Sequence, residues 1–166
     1  MDLYLVRHGA AMDRADPACP KDSERPLTAD GALKTRQVAE GLRVLGLQPD
    51  RLLSSPYRRA LETARIMARA LGFPEEEIEE SEALLPGSDP AELFAFLQER
   101  GGSVVLCFGH APHLDHVIAR ALNPSAPVTS LKKAGVAHLE IESLAPLRAE
   151  LAALYPPKVL RALAKA

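Results

Sequence analysis

Two apolar segments of this chain end abruptly in glycine and histidine, and this repeated ending constrains the fold more than any other feature. Leu3–Val6 is followed by Arg7-His8-Gly9, and Ser103–Phe108 is followed by Gly109-His110. Short aliphatic, β-branched runs are typical of buried strands. Ligands of open α/β sheets bind where strands end, so both histidines become candidate site residues. The alternative is that the first of these strand ends simply presents two polar residues to water.

Helical patterns alternate with the strands. Thr28 is predicted to cap a helix that runs to about Leu45, and Asp89 to cap a second that runs to about Arg100. Further helices are predicted over 58–71 and from Pro112 to about 122, and a short strand over 51–54. The apolar side of the first helix is assigned to Leu33, Val38, Leu42 and Leu45.

The remaining segments are less regular. Residues 12–26 carry no period and predict a loop, and the acidic stretch 75–82 predicts a solvated rim with one short strand around Ile78. Residues 135–141 alternate like a strand, whereas 147–155 fit either a helix or a strand; a short helix is expected after Pro156-Pro157. Alternating strands and helices predict one layered α/β domain over residues 1–166.

Composition excludes several classes of function. The chain has 166 residues, 47% of them hydrophobic and 25% charged, as is ordinary for a globular domain. A net charge of −2 argues against a large surface for nucleic acid or anionic membrane. Cys19 and Cys107 fit no metal or disulfide spacing. With neither a signal-peptide pattern nor an apolar run of membrane length, the expected location is the cytoplasm.

A third strand end adds arginines to the two histidines. Ser54-Ser55-Pro56 leads into a helix whose first turn holds Arg58 and Arg59. Parallel strands bring their carboxyl ends to one edge, which would gather two imidazoles and at least two guanidiniums around one pocket. Guanidinium groups bind phosphate oxygens bidentately, so the pattern predicts a site for a phosphoryl group.

These blocks resemble the histidine phosphatase superfamily, and within it the short SixA-type phosphohistidine phosphatases. The resemblance implies a three-layer α/β/α sandwich with a mostly parallel central sheet, the phosphoglycerate-mutase-like fold. It covers nearly the whole chain and rests on four blocks in the family's order: Val6-Arg7-His8-Gly9; Arg25-Pro26-Leu27-Thr28 with Gly31; Leu53–Ala60 with Glu62-Thr63-Ala64; and Gly109-His110-Ala111-Pro112.

The resemblance also implies roles for the site residues. His8 would be the nucleophile and form a phosphohistidine intermediate. Arg7 and Arg59 would hold the phosphoryl oxygens, and His110 would be a further, cationic donor. Gly9 would let the chain turn sharply and leave room for backbone near the ligand.

Two further arginines keep alternative interpretations. Arg58 is a rim residue or a substrate contact. Arg25 is either a fourth cation over the pocket or a loop residue paired with Glu24 or Asp30.

The nucleophile must carry an unprotonated nitrogen. We expect the two neighbouring arginines to lower the pKa of His8 by charge repulsion. Its other ring nitrogen is expected to donate to a backbone carbonyl, which would define the tautomer.

The chain departs from the superfamily's pattern at the general acid. Mutases and many phosphomonoesterases of the superfamily carry a carboxylate that protonates the leaving oxygen; Glu82 is the nearest candidate here, and its loop resembles the shorter SixA type. Without such an acid, cleavage of P–N bonds is favoured, because an imidazole can be protonated before it leaves. A phosphohistidine-bearing protein is therefore the expected substrate. The alternatives are a small-molecule phosphomonoesterase or mutase, and a non-catalytic phosphate-binding module.

No cofactor or metal is implied, and a monomer or weak homodimer is expected. His110, His113 and His116 are spaced three apart, which superficially suggests a metal site. On a helix the third ring would point away from the first, so His113 is assigned to the pocket mouth and His116 to a partly buried helix position. His138, in a strand, is expected to be structural.

Overall fold

The computed structural model describes residues 1–123, 126 and 128–165. These residues contain a six-stranded sheet with the order β3-β2-β4-β1-β5-β6. The strands are β1 (Asp2–Arg7), β2 (Arg51–Ser54), β3 (Glu79–Glu80), β4 (Val104–Gly109), β5 (Val136–Leu144) and β6 (Leu147–Tyr155).

The sheet is mostly parallel, as predicted. Strand β4 lies between β2 and β1 and is parallel to both, and β3 is parallel to β2. Within this sheet, as far as the structure describes the chain, antiparallel pairing is confined to the hairpin β5–β6: β5 pairs with β1, and β6 pairs with β5. The carboxyl ends of β1, β2 and β4 therefore meet at one edge of the sheet.

Helices cover both faces of the sheet and make a three-layer α/β/α sandwich. One face packs against α3 (Pro90–Arg100) and α4 (His113–Leu122). The other packs against α1 (Ala29–Val44), α2 (Arg58–Leu71) and α5 (Pro157–Leu163). Alternate residues of β1 divide between the two cores: Leu3 and Leu5 face the first, and Val6 faces the second.

Helix ends lie where the local sequence places them. The Thr28 hydroxyl accepts a hydrogen bond from the Gly31 amide at 2.9 Å, and the Asp89 carboxylate accepts one from the Ala91 amide at 2.8 Å. Helix α2 has the predicted bounds and ends at Gly72, whose φ of +72° suits glycine.

The predicted apolar face of α1 is partly wrong. Leu33 and Leu45 are 49% and 47% exposed, whereas Val38 and Leu42 are buried as expected. Val38 and Leu42 belong to one core cluster with Met67 of α2 and Leu160 of α5, and α5 packs so closely on α1 that a Cβ on Gly41 would lie 2.1 Å from the Leu160 carbonyl oxygen. Packing against both helices therefore determines which side of α1 faces inward.

The ambiguous tail is a strand, because residues 147–155 return along β5 as its antiparallel partner. None of the helices in the described part of the chain has both the length and the apolar content that a membrane-spanning segment requires.

Candidate active site

The three strand ends bring two histidines together. The backbone pairing continues past the strands, since the His8 amide donates to the Gly109 carbonyl at 3.0 Å and the Ser55 amide to the Phe108 carbonyl at 2.9 Å. The ring centroids of His8 and His110 lie 5.1 Å apart. Both side chains are buried.

Gly9 and its neighbours hold the His8 ring. Nδ1 of His8 lies 2.7 Å from the Gly9 carbonyl oxygen, which makes Nδ1 the protonated nitrogen and leaves a lone pair on Nε2. The Gly9 amide donates to the Thr63 hydroxyl at 3.1 Å. A Cβ on Gly9 would lie 2.4 Å from Oγ1 of Thr35, so only glycine fits this turn. Gly9 thus positions the His8 ring through its carbonyl oxygen, and the Gly9 amide is already hydrogen-bonded to Thr63.

Arg59 reaches the unprotonated nitrogen of His8, Nε2, from the first turn of α2. Its Nε donates to Nε2 of His8 at 3.2 Å. The two Nη atoms contact Asp22, one at 2.6 Å from the carbonyl oxygen and the other at 3.3 Å from the carboxylate. The guanidinium also lies over the ring of Tyr57, 5.0 Å from its centroid. Only 2% of Arg59 is exposed, and its contacts with Asp22 and Tyr57 fix its orientation toward His8.

Arg7 approaches the same cavity from β1. Its Nη1 donates to the Leu131 carbonyl at 2.6 Å, and the Leu131 amide donates to the buried Asp115 carboxylate at 2.8 Å. Burial lowers the pKa of Arg7, and the Asp115 carboxylate opposes that shift. Because an arginine remains charged in a protein, the cation is kept at the strand end.

Both imidazoles are neutral near pH 7. Burial is the main cause that lowers the pKa of His8 to about 4; the Gly9 hydrogen bond opposes it, and Arg59 and Arg7 add to it. Burial, then the charge of Arg59, lowers the pKa of His110 to about 2. The direction for His8 is as expected, although burial outweighs charge repulsion. The expectation of a cationic His110 is wrong, because the ring is buried beside Arg59 and its Nε2 lies 2.9 Å from the Ser55 hydroxyl.

These groups line a cavity of about 170 Å³ that is rich in cations. Among the residues that the structure describes, no carboxylate lines it. Glu82 is exposed and lies outside the lining, so the structure does not bring this candidate acid to the site. The lining consists of Arg7, His8, Ala11, Arg14, Arg25, Arg59, Pro86, His110, Ala111 and Lys133.

The two remaining arginines of the motifs lie in different places. Arg25 lines the cavity, and its partners are the Asp22 carboxylate at 2.9 Å and the Met12 carbonyl at 2.7 Å rather than Glu24 or Asp30. Arg58 is turned outward and pairs with Glu62 at 2.7 Å. Arg25 therefore lies in the same cavity as His8 and His110, whereas Arg58 lies outside it.

Two of the other histidines, His113 and His116, differ from their predicted positions, whereas His138 lies in a strand as predicted. His113 is buried rather than at the pocket mouth, and neither ring nitrogen has a hydrogen-bond partner within the described chain. His116 is exposed rather than partly buried, because it lies on the outer side of α4. At the opposite edge of the sheet, Asp2, His138 and Glu140 bring potential metal-ligand atoms within 4.8 Å of one another. Asp2 is already paired there with His138 at 2.6 Å.

Sequence reasoning missed four residues of the site. Asp22 carries the carboxylate shared by Arg14, Arg25 and Arg59. Arg14 lies in the aperiodic loop 12–26, like Asp22, and offered no signal. Lys133 follows another lysine just before β5, a weak signal for a basic surface. Ser55 stood in a recognised motif, but its contact with His110 depends on the neighbouring strand.

The fold and this cavity define a class of protein. The profile of the histidine phosphatase superfamily (branch 1) matches residues 3–85, and this chain belongs to that superfamily. Phosphohistidine phosphatase SixA of Escherichia coli (strain K12) is similar: it is 31% identical over 131 residues, which cover 76% of this chain and 78% of SixA.

Solved structures agree on the fold. The protein histidine phosphatase SixA complexed with tungstate superposes with a TM-score of 0.85 and 26% identity, covering 96% of this chain and 99% of the other. A phosphoserine phosphatase mutant from Entamoeba histolytica in complex with phosphoserine superposes with a TM-score of 0.71 at 17% identity, covering 96% and 98%. The second likeness concerns the fold alone. Membership of the superfamily and the similarity to SixA support a phosphatase.

Proposed function

We propose that this protein is a phosphatase that removes phosphate from phosphohistidine on a protein. His8 is the nucleophile in this proposal, and Arg7, Arg59 and His110 hold the phosphoryl group. Arg25 adds a further cation at the cavity wall. Arg58 lies outside the cavity and pairs with Glu62, so its role as a rim residue or a substrate contact stays a prediction.

The reaction has two displacements at phosphorus. In the first, the lone pair of His8 Nε2 forms an N–P bond while the P–N bond of the substrate breaks, and the leaving imidazole departs with its own proton. In the second, a water oxygen forms an O–P bond while the N–P bond to His8 breaks; the electron pair of that bond returns to Nε2, and phosphate leaves with the water's protons as H2PO4−. The arginines lie where negative charge spreads over the phosphoryl oxygens in both steps.

The Nδ1 contact supports His8 as the attacking group. A proton held on Nδ1 by the Gly9 carbonyl keeps Nε2 available, and a pKa of about 4 keeps the ring neutral at physiological pH. Arg59 donates to the same Nε2 at 3.2 Å in this structure; in the proposal this N–H passes to a phosphoryl oxygen when substrate binds, which frees the Nε2 lone pair to attack phosphorus.

The choice of substrate rests on one observation: none of the described residues that line the cavity is a carboxylate. An alkoxide is a poor leaving group unless an acid protonates it. An imidazole titrates near pH ~6.5, so an imidazole leaving group can bring its own proton. The site is therefore better suited to P–N than to P–O cleavage. The similarity to SixA supports the same choice.

The decisive comparison is kcat/KM for a phosphohistidine peptide against a set of sugar phosphates. We expect the peptide to be preferred, and isotopically labelled phosphate to be trapped on His8 after rapid quenching. A strong preference for the esters would favour a small-molecule phosphomonoesterase or mutase instead. Phosphate binding with no turnover of either class would favour a non-catalytic module.

A further inference from the structure

A second groove continues from the active-site cavity along the surface. It has a volume of about 290 Å³ and lies between α1 and α5. Lys133 lines both the groove and the active-site cavity, which makes them neighbours. We use the name basic strip for the cations along this path: Arg14, Arg25, Lys133, Lys34, Lys158 and Arg161.

The segment that carries Lys133 is attached to the end of β1. The Ala134 amide donates to the carbonyls of Arg7 and His8, at 3.0 and 3.2 Å. The Arg7 amide donates to the Gly135 carbonyl at 3.1 Å. Because the backbone beside Lys133 is bonded to the nucleophile's own strand end, this lysine has a defined position at the edge of the cavity.

The far end of the basic strip depends on how α5 packs. Leu160 is buried against Gly41 of α1, and Nε of Arg161 donates to Oε1 of Gln37 at 2.8 Å. This packing brings Lys158 and Arg161 into the groove that Lys34 also lines. Lys34 and Lys158 are both exposed.

Charge is unevenly distributed over this surface. The chain carries a net charge of −2, yet Asp30 is the one carboxylate among the described residues that line the groove, and it pairs with Lys34 at 2.6 Å. At the other end, Asp22 is shared by Arg14, Arg25 and Arg59. Cations therefore outnumber carboxylates along the whole path, which attracts an acidic surface and repels a basic one.

We propose that the basic strip is the docking surface for an acidic face of the phosphohistidine-bearing protein. The inference rests on the proposed function, because a phosphohistidine in the cavity places its own protein against the neighbouring surface. Carboxylates beside the phosphohistidine would then contact Lys133, Lys34 and Lys158. Complementary charge raises the rate of association and selects the partner.

The test uses two phosphohistidine peptides, one extended by a run of glutamates and the other by the same number of glutamines. At low ionic strength we expect the full chain to show a KM about tenfold lower for the glutamate peptide, and salt to reduce that difference. K34E/K158E should abolish the glutamate advantage. It should leave kcat and KM for free phosphohistidine unchanged, because neither lysine lines the catalytic cavity.

Two matched variants separate docking from general charge effects. K34R/K158R keeps the charge and should keep the glutamate advantage. R36E/R65E reverses two exposed arginines of α1 and α2 in a different groove and should also keep it. Equal KM values for the two peptides, or an equal loss in R36E/R65E, would overturn the docking surface alone. If neither peptide is hydrolysed while sugar phosphates are, the proposed function itself fails.

Discussion

Strand β1 has a histidine near each of its ends, and the two differ in the charge that surrounds them. At its start, Asp2 pairs with His138 at 2.6 Å, and the His138 ring stacks on Tyr4 with 4.2 Å between centroids. At its end, His8 faces Arg59 in a cavity that no carboxylate of the described chain lines. The cleft beside Asp2 and Tyr4 is the larger, about 480 Å³ against about 170 Å³.

An excess of cations, rather than cleft size, distinguishes the candidate active site, because a single carboxylate, that of Asp22, is shared by three of its arginines. An imidazole paired with a carboxylate has its partner within the protein, and such a pair contributes modestly to stability. Buried cations beside a neutral imidazole favour an anion from outside. We therefore expect substitutions at the two ends of β1 to differ in their effects on activity and on stability.

The largest expected effect is the loss of the nucleophile. His8→Ala should lower kcat/KM for a phosphohistidine peptide by at least about 10⁴-fold and prevent trapping of a phosphoenzyme. His138→Ala, at the other end, should keep activity within about threefold, since neither Asp2 nor His138 is among the described residues that line the cavity. Comparable activity losses in both variants would remove the distinction between the two ends.

Arg59 should matter more than its neighbour in sequence. Arg59→Ala should lower kcat/KM by about 10²- to 10³-fold, because a buried donor to the reacting group is lost. The matched variant Arg58→Ala should change it by less than about threefold, since Arg58 forms an exposed pair with Glu62. Steady-state kinetics on the same peptide measure both. An equal loss in Arg58→Ala would place the substrate across the outer surface of α2.

The buried histidines His8 and His110 should make the protein less stable as the pH falls. Because folding lowers the pKa of His8 from 6.5 to about 4, the unfolded chain binds the proton more readily in that interval. The free energy of unfolding should therefore decrease as pH falls from 6.5 toward 4, by about 3 kcal/mol from His8 alone.

Urea unfolding at a series of pH values measures this dependence. His8→Asn should flatten the slope, although His110 adds its own contribution in the same direction. A slope unchanged in His8→Asn would contradict a neutral, buried His8. Catalytic activity should behave differently from stability: it should persist below pH 6.5 and be lost near pH 4, where His8 takes up its proton.

The smallest effect is expected at the start of β1. Asp2→Asn should lower the free energy of unfolding by about 1 kcal/mol, because a partly buried charged hydrogen bond to His138 is weakened. Activity should not change. Denaturant unfolding and peptide kinetics on one preparation check both statements. A drop in kcat/KM without a loss of stability would show that the two ends are coupled.

Much of the candidate site could be read from the chain, and the omissions have a physical reason. His8, His110 and the pair Arg58-Arg59 were recognisable because each directly follows a strand or begins a helix, and those boundaries depend on neighbours in sequence. The choice of Arg59 over Arg58 rested on the family resemblance. Asp22, Arg14 and Lys133 were missed because loops carry no periodicity. Asp22 meets Arg59 across 37 positions of the chain, a contact that no local pattern encodes.

The same division holds for the fold. The bounds of α2 and the Thr28 and Asp89 caps follow from short-range hydrogen bonds and side-chain periodicity, so the order of residues was sufficient to place them. The exposure of Leu33 and the strand character of 147–155 depended instead on α5 and β5, elements distant along the chain. The neutrality of His110 likewise required the assembled cavity, because desolvation and the nearby guanidinium exist only after folding.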